Sequence, residues 1–93
     1  MIPKITLAKH HAKVITWRAQ EWSAPPIVEW VDRDGQTAHT TECIIAEDGK
    51  HAAVVLSVDD VETLAEAKVR SACLTDPVTR LRHCIQPVAF QEH

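Results

Sequence analysis

A chain of 93 residues that is 45% hydrophobic, with Ile, Val, Leu and Trp recurring along its length, has material for one compact core, so residues 1–93 read as a single domain. Its longest uncharged apolar runs fall far short of the ~20 residues a membrane helix needs, and no N-terminal run has the shape of a signal peptide, which predicts residence in the cytoplasm. The net charge of −3 is unevenly laid out, with +4 over residues 1–20, −9 over 21–66 and +2 over 67–93, a balance that argues against direct nucleic-acid binding.

Ala8, Ala12, Ile15, Ala19 and Trp22 recur at alternating steps of four and three, the period of one helix face. That spacing predicts an N-terminal helix with Lys9, Lys13 and Gln20 on its other faces. A β-hairpin over 5–18 is the rival, because Val14, Ile15, Thr16 and Trp17 favour strands, but residues 9–13 hold none of the usual tight-turn residues. Pro25 and Pro26 then stop the segment.

Residues 27–32, 37–46 and 51–58 read as three strands. Asp34-Gly35 makes the first turn and residues 47–50, Glu-Asp-Gly-Lys, make the second, which gives an antiparallel meander. Asp59, with Glu62 three residues on, is the expected N-cap of a helix in which Val61, Leu64, Ala65, Lys68, Val69 and Ala72 suit one apolar stripe. Asp76-Pro77 looks like a further N-cap and first helical position, with Val78, Leu81 and Ile85 at helical spacing; a fourth strand over 80–85 competes, and Pro87 closes either element. The expected fold is therefore α+β, a two-layer sandwich in which a three-stranded antiparallel meander packs with an N-terminal helix and one or two C-terminal helices.

The six histidines and three cysteines invite a metal site, but no C-x-x-C, H-E-x-x-H or finger spacing is present. His39 and Cys43 on one strand would stand about 13 Å apart, too far to share one zinc. His83 and Cys84 are adjacent and point apart. Cys43, Cys73 and Cys84 cannot all pair within one chain, and reduced thiols are expected. Both glycines, Gly35 and Gly49, are used by turns, which leaves none for a phosphate-cradling or active-site loop. No catalytic residue, metal or cofactor is expected.

The charge layout points instead to a non-enzymatic protein-binding module. Asp32, Asp34, Glu47 and Asp48, with Trp30 as an apolar anchor, would face a basic partner groove; Lys9, Lys13 and Arg18 would face partner acids. A small acidic chain without a catalytic signature is similar in size and charge, and in no motif, to small phage or mobile-element proteins such as the anti-CRISPR group. The likeness implies an inhibitor that blocks or mimics nucleic acid on a larger nucleoprotein complex. A self-associating structural subunit, joined through an uncovered sheet face or edge, is the first alternative. A metal-binding regulator or enzyme is the second.

Overall fold

The computed structural model describes residues 4–18 and 24–91, the side chains of 84 and 85 excepted. The chain runs β1 (Ile5–Ala8), β2 (Lys13–Arg18), β3 (Ile27–Asp32), β4 (Thr37–Glu42), β5 (Ile44–Ile45), β6 (His51–Leu56), α1 (Val58–Glu66), β7 (Val69–Thr75) and β8 (Arg82–Gln91). It is mostly β, with a single described helix, and not the three-stranded meander with several helices that the spacing predicts.

Two sheets form, one in the order β1-β8-β7-β3-β4 and one in the order β2-β6-β5. Only Cys43 separates β4 from β5, so one continuous ribbon leaves β3 in the first sheet and joins β6 in the second. Its corner is fixed where the Cys43 N–H donates to the Pro26 carbonyl at 3.2 Å. On the other side, β1 and β2 follow one another in sequence without pairing, and the Lys13 ammonium reaches across to the Thr6 carbonyl at 2.8 Å. The result is a sandwich closed along β4–β5 and bridged by a side chain along β1–β2. Ile5, Leu7, Ile15, Val28, Trp30, Val54 and Leu56 meet inside it. Helix α1 crosses from the second sheet to the first and buries Val61 and Leu64 against that core.

The N-terminal segment is neither the expected helix nor the rival hairpin. Residues 5–8 pair in parallel with β8, and residues 13–18 pair antiparallel with all six residues of β6. The helical spacing there rested on Ala8 and Ala12, which bury little, whereas Val14, Ile15, Thr16 and Trp17 are stiff at χ1 and fit a pleated surface. Ala19, Gln20, Trp22 and Ser23 lie outside the described residues.

Helix α1 starts two residues earlier than predicted. Ser57 is its N-cap: its hydroxyl accepts from the Asp60 N–H at 3.1 Å, and the Asp60 carboxylate accepts from the Ser57 N–H at 3.0 Å. The reciprocal pair satisfies two donors that the helix leaves orphaned. The helix ends because Lys68 takes a left-handed φ of 57° and turns the chain into β7. Val69 and Ala72, predicted on the helix stripe, are instead buried on β7, the strand that lies between β3 and β8.

Asp76 does cap, as its place before Pro77 suggests, but it caps one turn and no helix. Its carboxylate accepts from Val78 N–H at 2.8 Å and Thr79 N–H at 3.2 Å, and the left-handed Arg80 (φ 65°) then sends the chain into β8. The competing strand is the correct reading of this region. Pro87 lies inside it, where the pairing changes hands: residues 82–87 pair with β7, and residues 88–91 pair with β1. A residue without an N–H is tolerated at such an irregularity.

Candidate functional site

Side chains alternate across a strand, and β6 makes the consequence visible. Ala52, Val54 and Leu56 point into the core; Val55 points out and is 62% exposed. The residue directly opposite it on β2 is Val14, 58% exposed. Ala53 stands on the same outer face between Thr16 on β2 and Ile44 on β5, and Ile44 is 62% exposed. The outer face of the smaller sheet thus exposes Val14, Val55 and Ile44, with the buried Ala53 and the exposed Thr16 beside them and, among the described residues, nothing over the three.

The outer face of the larger sheet is built otherwise. Glu29 lies between the buried Val28 and Trp30 and so faces outward. Its carboxylate takes the Arg82 guanidinium at 2.7 Å and the Thr75 hydroxyl at 2.9 Å. This face closes on itself through polar contacts.

The acidic residues singled out from the sequence do not converge. The Asp32 carboxylate accepts from the N–H groups of Asp34 and Gln36 at 2.8 and 3.1 Å, which closes the β3–β4 turn together with Gly35 at φ 81°. The Asp48 carboxylate accepts from Lys50 N–H at 2.8 Å and meets His51 at 2.9 Å, which closes the β5–β6 turn beside the exposed Glu47. The two turns sit at opposite ends of the extended β4–β5 ribbon. Asp32 and Asp34 therefore share no turn with Glu47 and Asp48. The Lys50 N–H, and secondly His51, hold the Asp48 carboxyl below its ordinary value.

Trp30 is fully buried and its indole N–H donates to the Thr41 hydroxyl at 3.0 Å, so it belongs to the core and anchors no partner. Trp17 is half-buried and donates to Gln86. Lys9, Lys13 and Arg18 share no helix face: Lys9 follows β1, while Lys13 and Arg18 hold opposite ends of β2. Lys13 is engaged at the β1–β2 seam.

The cysteines and histidines are also separated. Cys43 is buried, and burial pushes its thiol up to about 11, so it stays protonated at neutral pH. Cys73 is disulfide-bonded, which corrects the expectation of three reduced thiols. His39 faces Asp60 at 3.8 Å, His10 faces Glu62 at 2.8 Å and His51 faces Asp48, each as an isolated pair. Among the described residues no three His, Cys, Asp or Glu side chains gather where they could hold a metal ion. No described helix is long and apolar enough to cross a membrane.

The exposed apolar set was missed in the sequence because Val14 and Val55 lie 41 residues apart and each reads as core. The only local signal was β6 itself, where 52–56 is uniformly apolar and an exposed strand face would be polar.

No family model matches the chain, and no curated protein matches it. The size-and-charge likeness to phage inhibitors therefore gains no support from relatives, and the mostly β fold removes the α+β profile on which it was drawn.

Proposed function

We propose that this chain is a non-enzymatic protein-binding module whose docking surface is the outer face of the β2-β6-β5 sheet. The observation that carries the reading is the directly opposed pair Val14 and Val55, each more than half exposed on an outer face that also holds Ile44. Contiguous apolar surface on a folded chain marks a contact, whereas single exposed valines do not.

Self-association through the same face is the second reading. An apolar sheet face can pack on its own copy about a two-fold axis, and β2 carries Lys13 and Arg18 at its two ends, which sets like charges opposite one another in edge-to-edge pairing of two β2 strands. Face packing is therefore the favoured mode of self-contact. The Cys73 disulfide supports an oxidising compartment over the cytoplasm expected from the cysteine count.

The test is the double substitution V14E/V55E, with light scattering across a concentration series and recovery of partners by the tagged chain. A dimer that becomes monomeric supports self-association, and a monomer that loses its partners supports a different protein on this face. Unchanged mass and unchanged partners in the doubly substituted chain would sink both.

A further inference from the structure

The open face of the β2-β6-β5 sheet carries unlike charges on its two sides. Alternate side chains share a face, so Arg18 stands on the side of Val14 and Thr16, at the strand end where it pairs with His51. Beyond β6 the next strand is β5, and Glu47 lies just past its end, next to Ala46, whose N–H donates to the His51 carbonyl. Arg18 and Glu47 therefore flank the same end of the face on opposite sides of β6. Both are exposed, and neither has an ion pair with another described residue. His51, between them, is already held by Asp48 of its own chain at 2.9 Å.

A sheet face that packs on a second copy of itself does so about a two-fold axis lying in the plane of contact. An axis across the strands lays β2 over β2 with its ends exchanged, so Arg18 points toward the partner's Lys13 end and away from the partner's Glu47. An axis along β6 keeps the strand ends together and, because β6 is the middle strand, lays β2 over β5. Val55 then meets the partner's Val55 and Thr16 covers the partner's Ile44, as the pairing of both with Ala53 requires. Arg18 arrives over the partner's Glu47, and the symmetry makes that pair twice. Sheets stacked with strands aligned to within about 30° form the usual face-to-face packing.

We propose that a second copy of this chain covers this face, about a two-fold axis along β6, with Arg18 of each copy paired to the partner's Glu47 at the two margins. The proposal rests on the reading of the face as a docking surface. The apolar centre supplies the contact, and the marginal charges select its orientation, as rim charges commonly do.

The test is sedimentation equilibrium of the whole chain over a concentration series, on the parent and on charge variants. The parent is expected to dimerise. Arg18→Glu and Glu47→Arg are each expected to weaken the dimer about tenfold, because each puts two like-charge contacts where two ion pairs stood. The double variant R18E/E47R is expected to recover affinity to within about twofold of the parent, since the swap restores opposite charges. That recovery could not come from a chain whose fold is damaged. A parent that stays monomeric overturns the proposal, and recovery of a different protein that V14E/V55E abolishes would then leave the docking face standing. A dimer that V14E/V55E disrupts but neither charge reversal moves, or that the double variant fails to restore, overturns the axis and the ion pairs while keeping self-association. A dimer indifferent to V14E/V55E overturns the proposal and removes the face as the site of self-contact.

Discussion

The two sheets of this molecule share one core and wear opposite outer faces. On the larger sheet, Glu29 is joined by Arg82 and Thr75, and the polar groups satisfy each other. On the smaller sheet, Val14, Val55 and Ile44 stand open with nothing of the chain over them among the described residues. Both faces come from the same alternation of side chains along strands. The difference teaches that the same strand alternation can leave one outer face polar and self-satisfied and another apolar and exposed.

The sharpest test of that contrast compares the inside of the sandwich with its open face. Trp30→Ala is expected to lower unfolding free energy by about 3–5 kcal/mol in urea, whereas Val55→Thr should stay within about 0.5 kcal/mol. A loss above about 2 kcal/mol for Val55→Thr would mean that the face is covered after all.

Reduction should have the next largest effect, lowering stability by about 2–4 kcal/mol if Cys73 is bonded within the chain. Thiol titration of the unfolded protein should find fewer reactive groups before reduction than the three cysteines found after it. Three thiols without reductant would refute the disulfide. Ser57→Ala removes the cap that starts α1 and should cost about 1 kcal/mol, read as a shift in the denaturation midpoint.

A double-mutant cycle with Glu29→Gln and Arg82→Gln is expected to yield a coupling of only about 0.2–1 kcal/mol, because this pair is partly exposed. Its value lies in the comparison: the polar face should lose this much on its own, while V14E/V55E, which sets like charges directly opposite, should cost about 0.2–1 kcal/mol and also alter association.

The smallest effect concerns pH. The Asp48 carboxyl is held below its unfolded value by the Lys50 N–H and by His51, so its contribution is present above that unfolded value and is lost as pH falls through the lower, folded one. Asp48→Asn should therefore flatten the acid limb of the stability profile slightly, with a small loss at neutral pH that disappears in acid. A steeper acid limb in that variant would reverse the sign and remove the assignment.

Local signals were legible wherever one residue acts on its own backbone. Asp34-Gly35 and Asp48-Gly49 mark turns because the carboxylate and the glycine do their work within a few positions. Asp76 was equally readable as a cap, but a cap does not say how long the element after it will be. Residues 69–75 were misread as helix because Val61, Leu64, Ala65, Val69 and Ala72 keep a helical period that only the reversal at Lys68 breaks. The candidate sites were barely legible. None of the residues chosen from charge is among the exposed Val14, Val55 and Ile44.

The sequence by itself determined the β3–β4 ribbon, both glycine turns and the existence of a helix after β6, since each depends on contacts or torsions a few residues long. The tertiary structure decided that the N-terminal segment is two strands in two sheets, that Trp30 is core, and that Val14 and Val55 lie side by side. The physical reason is range. A strand is stabilised by partners anywhere in the chain, here β1 by residues 88–91 and β2 by residues 51–56, so its identity and its exposed face are properties of pairing and cannot be read from a window.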